Sequence, residues 1–317
     1  MKKNLKKFDC ASLQGKDFLS VDDFSIQEIK SLFKLAAEIK ARPKKYSNAL
    51  KGKMLALIFE KPSLRTRTTF TVAIDSLGGN CVDFPPGDIG LGKRESVYDV
   101  AKNLERMVDG VMIRTFGQHI IISFANYASV PVINGLTDFE HPCQAMADFF
   151  TISEHKKNIK RLKIAYIGDG NNVAHSLLLM AGKWGVPFYI ATPPDYAPDR
   201  DVVKRAKELA EKHGNVVVTN DPIEAARDAD VIYTDTWASM GQEHEAEVRR
   251  AIFKPYQVNR ELFSHAQSDA LFMHCLPAHR GEEVTDEIID SPNSVVFEEA
   301  ENRLHVQKAI LYALLGD

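Results

Sequence analysis

The chain has 317 residues, 44% of them hydrophobic, which is enough for about two domains with cores of their own. Forty basic and 43 acidic residues leave a formal net charge of -3, so we expect no nucleic-acid or membrane partner. No apolar run approaches the roughly 20 residues that a transmembrane helix needs. The basic N-terminus lacks the apolar segment of a secretory signal, so we expect a cytoplasmic protein.

Strand-like and helix-like segments alternate along the chain, which is typical of parallel α/β sheets. The predicted strands are residues 53–59, 80–84, 110–114, 130–134, 162–167, 187–191, 215–218, 230–235 and 270–274. The predicted helices include residues 65–77, 96–107, 119–127, 141–155 and 302–315. We therefore expect two doubly wound parallel-sheet domains joined by interdomain helices. The four cysteines (Cys10, Cys81, Cys143 and Cys275) are far apart, which favours reduced thiols over disulfides or a structural zinc site.

Residues 63–67, Ser-Leu-Arg-Thr-Arg, stand where a predicted buried strand gives way to an amphipathic helix, with Ser63 near the N-cap. The free N–H groups and the positive dipole end of a helix N-terminus favour an anion, and a guanidinium adds paired, charge-assisted hydrogen bonds. The segment therefore predicts a phosphate site. The alternative is a capped surface helix with solvated arginines.

Other polar residues follow the remaining strands of the first half. Ligands of open α/β sheets bind outside the carboxyl ends of the strands. Arg114 ends one predicted strand, and His141 and Gln144 follow the next one at the start of a helix. Singly, Arg114 could be a surface arginine and His141 a helix cap. Together with Arg65 and Thr66 they predict cations, an imidazole and an amide around one crevice.

The second half carries its own polar strand ends. Residues 168–172, Gly-Asp-Gly-Asn-Asn, suggest a dinucleotide loop, but Val173 replaces the third glycine of that fingerprint, so Asn172 could be a simple turn residue. Asp235 ends a strand and could bind an ammonium group. Cys275 is either a buried thiol or a member of a Cys–His pair, and a metal site at His274 and Cys275 would lack an assigned fourth ligand.

Four motifs, in this order, resemble those of the aspartate/ornithine carbamoyltransferase family, and the ornithine-specific members are the most similar. The motifs are residues 59–67, His141-Pro142-Cys143-Gln144, Asp235 with Ser239-Met240-Gly241, and His274-Cys275-Leu276-Pro277. The resemblance extends to residues 298–303. It implies a carbamoyl-phosphate-binding domain at residues 1–145, onto which a C-terminal helix at 302–317 packs back, and an ornithine-binding domain at 146–301.

The resemblance also implies a reaction and its residues. Carbamoyl phosphate would pass its carbamoyl group to the δ-amine of L-ornithine, giving L-citrulline and phosphate, a step of arginine metabolism. It would be bound by Ser63, Leu64, Arg65, Thr66, Gly90, Arg114, His141, Gln144 and Arg303. Ornithine would be bound by Asn172, Asp235, Ser239, Met240, Cys275 and Leu276. The implied catalytic residues are Arg65, Arg114, His141 and Cys275, with no cofactor, no metal and a homotrimer or a multiple of trimers.

Two positions depart from the family pattern. Leu64 replaces a threonine of the phosphate motif, and Gly90 stands where glutamine or histidine is usual. Leu64 is reminiscent of enzymes that act on N-acylated ornithine, whereas Asp235 suits a free α-ammonium. The alternatives are carbamoyl transfer to putrescine or an N-acylornithine, or a catalytically silent homologue. Aspartate as acceptor is disfavoured by Asp235, and a nucleotide-dependent oxidoreductase is disfavoured by the missing glycine.

Overall fold

The computed structural model of the protein describes residues 8–210, 215–238 and 243–316, which form two compact units. Unit 1 contains the described residues up to Ala147 and from Glu301 onward, and unit 2 runs from Asp148 to Ala300. Within the described residues, no helix combines the length and apolarity that crossing a membrane requires.

The strands confirm the predicted α/β class, because both sheets contain only parallel pairs within the described residues. In unit 1 the strands are β1 (Met54–Phe59), β2 (Asn80–Phe84), β3 (Gly110–Arg114) and β4 (Val132–Leu136). In unit 2 they are β5 (Ile164–Ile167), β6 (Phe188–Ala191), β7 (Val216–Thr219), β8 (Val231–Thr234) and β9 (Leu271–His274).

The α-helices are numbered in chain order. They are α1 (Ile26–Ala41), α2 (Arg65–Ser76), α3 (Val97–Leu104), α4 (Gln118–Tyr127), α5 (Pro142–His155), α6 (Asn172–Trp184), α7 (Arg200–Ala210), α8 (Pro222–Ala226), α9 (Ala246–Phe253), α10 (Arg260–Phe263), α11 (Asp286–Ile289) and α12 (Val296–Leu315). The chain passes from one unit to the other within α5 and within α12.

The order of the strands marks one position in each sheet where a ligand is expected. The unit 1 sheet has the order β2-β1-β3-β4, and the unit 2 sheet has the order β7-β6-β5-β8-β9. Consecutive strands are added in one direction and then in the other, so the order reverses between β1 and β3 and between β5 and β8. Ligands of open α/β sheets bind at such switch points, beyond the carboxyl ends of the strands.

The C-terminal part of α12 packs within unit 1. The N–H of Gly15 donates to the carbonyl of Leu314 at 3.0 Å, and the rings of Tyr46 and Tyr312 meet edge to face at 5.7 Å. A Cβ on Gly110 would lie 2.8 Å from the side chain of Leu315, so the helix packs closely against the start of β3. The amphipathic segment found in the sequence is therefore docked on the first sheet.

Several elements differ in extent from the prediction, and two of these differences have a visible physical reason. β4 ends at Leu136 rather than at residue 134, because Gly135 forms an irregularity that lets Arg114 pair with Leu136. A Cβ on Gly135 would lie 2.3 Å from the sulfur of Met112, so this step requires glycine. Helix α12 begins at Val296 rather than at residue 302, because its first turns contain a run of polar residues that conceals the helical period.

Candidate active site

The switch point of unit 1 brings the end of β1 to the start of α2. Ser63 caps this helix, since its Oγ accepts a hydrogen bond from the N–H of Thr66 at 3.1 Å. Leu64 already has helical backbone angles, and its carbonyl accepts the N–H of Thr68 at 3.1 Å. The Leu64 side chain is 76% exposed, so it contributes little to the core. Ser63 thus lies next to the N-cap position, close to where the sequence predicted it, and the N-terminus of α2 can accept an anion.

Thr66 is the point on which two arginines converge. Its side chain is fully buried, and its Oγ1 accepts a 2.7 Å hydrogen bond from Nη2 of Arg303 and lies 3.5 Å from Nη1 of Arg114. Arg114 ends β3 and Arg303 lies on α12, and both are almost completely buried. Two guanidiniums beside a helix N-terminus create a locally positive potential, which attracts an anion. The arrangement indicates an anion site.

His141 and Gln144 complete this cluster at the start of α5. Both side chains are buried, and the N–H of Gln144 donates to the carbonyl of His141 at 3.0 Å. Burial, followed by the positive charges of Arg303, Arg114 and Arg65, holds the pKa of His141 well below its ordinary value. The imidazole is therefore neutral at pH 7 and suited to a hydrogen bond with a polar ligand rather than to carrying charge.

A second set of contacts joins the loops that follow β1 and β3. Lys61 is buried and forms an ion pair with Asp138, while its Nζ lies 4.5 Å from the ring centre of Phe116. The hydroxyl of Thr115 donates to Glu60, whose N–H donates to the carbonyl of Arg114 at 2.8 Å. The motif containing Glu60 and Lys61 was noted in the sequence, but this supporting role was missed.

Gly90 lies in a turn of its own. Its φ is +63°, a conformation that favours glycine, and its carbonyl accepts the N–H groups of Lys93 and Arg94 at 2.9 and 2.8 Å. A Cβ at this position would lie 2.9 Å from Cβ of Arg94. The structure thus brings Ser63, Arg114 and Arg303 to Thr66. His141 lies within the field of Arg303, Arg114 and Arg65, and Gln144 is bonded to it at the start of α5, whereas Gly90 is held in a turn of its own.

The switch point of unit 2 is organised by two asparagines. Asn171 caps α6, with its Oδ1 accepting the N–H groups of Val173 and Ala174 at 3.0 and 3.1 Å. Its Nδ2 donates to Oδ2 of Asp235 at 2.7 Å, which joins the loop after β5 to the end of β8. Asn172 is the first residue of α6. The contact of Asn171 with Asp235 was missed in the sequence, although its N-cap position offered a signal.

Asp235 joins the ends of three strands of unit 2. Its carboxylate is 6% exposed and accepts the N–H of Thr236 at 2.7 Å and the thiol of Cys275 at 3.0 Å, both on Oδ1. Cys275 follows β9 and is half-buried. A carboxylate held by such donors can bind an ammonium group by charge-assisted hydrogen bonds.

The segment after Cys275 adopts an unusual backbone conformation. Leu276 has a φ of +56°, a backbone conformation that is strained for a residue with a bulky side chain. Residues with such strain occur most often at functional sites. Its N–H donates to Nδ1 of His274 at 2.8 Å, and Nε2 of His274 therefore donates to Glu283 at 3.1 Å. The predicted residues Asn172, Asp235, Cys275 and Leu276 lie at adjoining strand ends. Ser239 and Met240 lie outside the described residues.

A buried ion pair supports the segment after β8. Nη1 of Arg249 lies 3.1 Å from Oδ2 of Asp169 and donates to the carbonyl of Trp237 at 2.8 Å. Burial raises the pKa of Asp169 to about 6, although Arg249 opposes the shift. This pair fastens the loop after β5 to α9. It was missed in the sequence because its members are 80 residues apart.

In the part of the chain that the structure describes, two groups of side chains bring metal-ligand atoms within 4.8 Å of one another. They are Asp235 with His274 and Cys275, and His279 with Glu282 and Glu283. In the first group both ring nitrogens of His274 are already engaged in hydrogen bonds. In the second group Glu282 is ion-paired with Arg250 at 2.8 Å. The ligand atoms of both groups are therefore already engaged with other residues of this chain, which disfavours metal coordination at either position.

Comparison with known proteins finds two family models that together match most of the chain. The family model "Aspartate/ornithine carbamoyltransferase, carbamoyl-P binding domain" matches residues 16–154, and "Aspartate/ornithine carbamoyltransferase, Asp/Orn binding domain" matches residues 160–314.

Individual relatives match over nearly their whole length. The ornithine carbamoyltransferase of Thermococcus kodakarensis is 54% identical over 308 residues, which cover 96% of this chain and 98% of the relative. The ornithine carbamoyltransferase of Pyrococcus horikoshii is 53% identical over 308 residues, which cover 96% of this chain and 97% of the relative. The solved ornithine carbamoyltransferase of Pyrococcus furiosus has a TM-score of 0.93 and 51% identity over 96% of this chain and 98% of that one. The chain therefore belongs to the aspartate/ornithine carbamoyltransferase family.

Proposed function

We propose that the protein is an ornithine carbamoyltransferase, which transfers the carbamoyl group of carbamoyl phosphate to the δ-amine of L-ornithine. The observation that carries this proposal is the convergence of Arg303 and Arg114 on Thr66 at the N-terminus of α2. It provides an anion site in the part of the chain that matches a carbamoyl-phosphate-binding domain. The names of relatives that are 53–54% identical over 96% of the chain support the choice of ornithine.

In unit 1, we assign the phosphate to the start of α2 and the carbamoyl group to the cluster behind it. Ser63, Arg65 and Thr66, with the free N–H groups of α2, would bind the phosphate oxygens. Arg114 and Arg303 would bind oxygens at the junction of the two groups. The neutral imidazole of His141 and the amide of Gln144 would bind the carbamoyl oxygen and nitrogen. Leu64 would supply only its backbone, because its side chain is apolar and exposed.

In unit 2, we assign the α-amino acid end of ornithine to the end of β8. Asp235 would bind the α-ammonium, and Asn172 with Ser239 and Met240 would bind the α-carboxylate. Cys275 and the carbonyl of Leu276 would lie beside the δ-amine. An N-acylated ornithine carries no α-ammonium and putrescine carries no α-amino acid group, so the buried carboxylate of Asp235 favours free ornithine over both.

The chemistry follows from these positions. The neutral δ-amine attacks the carbamoyl carbon, and the oxyanion that develops is stabilised by Arg114, His141 and Thr66, which are held in place before the reaction. The C–O bond to phosphate then breaks, and the phosphate leaves toward Arg65 and the N-terminus of α2. The attacking nitrogen loses a proton, which the departing phosphate takes up, and citrulline results. The amine is itself the nucleophile, so the attack needs no nucleophilic side chain from the protein.

We further propose that the domains follow the boundaries expected from the sequence, residues 1–145 with 302–317 and residues 146–301. We propose a cytoplasmic homotrimer, or a multiple of trimers, in which the loop containing Gly90 contributes to a neighbouring subunit's site. The four free cysteines suit a reducing compartment. Analytical ultracentrifugation tests the assembly, and a monomer that is fully active would contradict it.

The decisive experiment is a citrulline assay on the purified protein and on Arg65→Ala. Loss of one preorganised donor typically lowers turnover by about 10²- to 10³-fold. Arg42→Ala is the matched control, because Arg42 is exposed and forms a surface ion pair with Glu38. Near-normal turnover by Arg65→Ala would contradict the assignment of the phosphate site.

A panel of acceptors separates the alternatives in the same assay. Ornithine, putrescine, N-acetylornithine and aspartate are offered with carbamoyl phosphate, and we expect product with ornithine. Product with no amine would identify a catalytically silent homologue. Because a δ-amine resembles the amine of lysine, with a pKa of about 10.4, the rate should rise with pH. A flat profile between about pH 6 and 9 would argue against attack by the free amine.

A further inference from the structure

Unit 2 contains a group of buried acidic side chains that the proposed reaction does not use. Asp148 on α5 and Glu299 on α12 are fully buried, as is Tyr233 on β8. The Tyr233 hydroxyl oxygen lies 3.3 Å from Oδ2 of Asp148 and 3.2 Å from Oε1 of Glu299. The two carboxyl groups are also hydrogen-bonded to each other.

A hydrogen bond between two carboxyl groups requires a proton on one of them. Ionised carboxylates only accept hydrogen bonds, and Tyr233 brings a single hydroxyl proton to the pair. Two buried like charges in contact are strongly unfavourable, as in carboxyl dyads that retain a proton. Burial, and next the neighbouring Asp148, raise the pKa of Glu299 well above its ordinary value. One proton shared between the two carboxyl groups would remove this repulsion.

The pair is connected to the candidate ornithine site by one hydrogen bond. Oε2 of Glu299 accepts the N–H of His274 at 3.0 Å, and His274 is the last residue of β9. The next residue, Cys275, donates its thiol to Asp235. Tyr233 lies two residues before Asp235 on the neighbouring strand. The buried pair is thus hydrogen-bonded to the last residue of β9 and to Tyr233 near the end of β8.

We propose that Asp148 and Glu299 share one proton and act as a positioning pair, which holds the end of β9 so that Cys275 and Asp235 can bind the amino-acid substrate. This inference rests on the proposed function, because it names a substrate that unit 2 binds. Neither carboxyl group is assigned a contact with substrate. Each acts through the backbone of His274 and the hydroxyl of Tyr233.

The charges around the pair define its expected dependence on pH. Asp148 faces Glu299 from α5, Tyr233 faces it from β8, and Cys275 lies near it after β9. The charge of Asp235, which follows β8, acts on Tyr233 and on Cys275. The ring of His274 is directed to Glu283 instead. Removing the shared proton would add a second negative charge to this acidic surrounding. The pair would then separate, and the end of β9 would lose its support.

Glu299→Gln and Asp148→Asn test the shared proton directly. In either variant an amide N–H replaces the proton, while the remaining carboxylate keeps the net charge of the pair. We expect both variants to bind ornithine like the wild type at pH 7. Glu299→Leu removes the acceptor for the N–H of His274, and its KM for ornithine should rise at least tenfold, with the KM for carbamoyl phosphate within twofold. The control is Glu298→Leu, because Glu298 is exposed and pairs with His155.

The pH profile and the infrared spectrum distinguish this role from a merely structural one. Between pH 7 and 10 the ratio of the ornithine KM of the wild type to that of Glu299→Gln should rise, since the amide cannot be deprotonated. The wild type should show a protonated-carboxyl band that is absent from both amide variants. A flat ratio, a band retained in both variants, or equal rises of both KM values would overturn the proposal.

These measurements also separate this inference from the proposed function. A wild type that makes no citrulline would contradict the function, whereas the infrared band reports the shared proton without turnover. If Glu299→Leu does not fold, the two amide variants still decide the question through the band and the KM ratio.

Discussion

A single hydroxyl, that of Thr66, joins two guanidiniums from distant parts of the chain, and its removal tests the unit 1 site most sharply. Thr66→Val replaces the hydroxyl by a methyl group of similar size, so the packing around this fully buried position changes little. What is lost is the 2.7 Å hydrogen bond from Arg303 and the 3.5 Å contact with Arg114. Both arginines would then be less firmly held beside α2.

The geometry sets the size of the effect. A hydrogen bond from a charged donor contributes about 1.5–3 kcal/mol, and a contact of 3.5 Å adds little to it. Because about 1.4 kcal/mol corresponds to a factor of ten, kcat/KM for carbamoyl phosphate should fall by about 10- to 150-fold. The KM for ornithine, which we assign to unit 2, should stay within about twofold of the wild-type value by the same reasoning.

The assay is steady-state citrulline formation with carbamoyl phosphate varied at saturating ornithine. Thr68→Val is the matched control, because it makes the same chemical change on the exposed face of the same helix. Thermal unfolding of both variants measures any loosening of α2. The reasoning is refuted if Thr66→Val keeps kcat/KM within twofold of the wild type, or if Thr68→Val loses as much.

Three further outcomes are expected. Leu64→Thr should lower the KM for carbamoyl phosphate by about 3- to 10-fold, because it restores a hydroxyl at the phosphate site, and its stability should change by less than about 0.5 kcal/mol at this exposed position. Because the pKa of His141 is lowered in the folded protein, the unfolded chain binds a proton near pH 6.5 that the folded protein does not bind. Below that pH the free energy of unfolding should therefore fall by up to about 1.4 kcal/mol per pH unit. Urea unfolding at a series of pH values should show a weaker dependence of this free energy on pH for His141→Asn. Arg249→Ala should lower the free energy of unfolding in urea by roughly 3–5 kcal/mol, because it leaves the buried carboxylate of Asp169 without its guanidinium. Arg250→Ala, which breaks a surface ion pair with Glu282, should lower it by less than about 1 kcal/mol, and equal losses would contradict this reasoning.

The fold was predictable because parallel strands are buried on both faces. β1 has five buried residues out of six, and β3 and β5 are buried throughout, so each reads as a short apolar run between helical segments. The irregularity at Gly135 was not predictable in the same way. This irregularity depends on the close approach of Met112 from the neighbouring strand, and the hydrophobicity pattern around Gly135 does not show which residue lies opposite it.

The candidate site was predictable where it is local. Ser63, Arg114 and His141 follow strands, so the rule for strand ends was sufficient to select them. Arg303 is 237 residues from Thr66, and only the resemblance to a family placed it in the site. The contact of Asn171 with Asp235 joins two loops that follow different strands. Such partners depend on the register of the sheet, which the pattern of one segment does not contain.

The error at the start of α12 has a physical cause that also points to function. The first turns of this helix contain Glu-Glu-Ala-Glu-Asn, which reads as a solvent-exposed segment, yet Glu299 and Asn302 are fully buried. Burying a carboxyl group is costly unless it is neutralised or firmly hydrogen-bonded. A buried carboxyl group of this kind is expected where it holds other residues in place, as Glu299 does by accepting the N–H of His274. A helix that begins earlier than its apolar period therefore indicates where to search for residues that position a site.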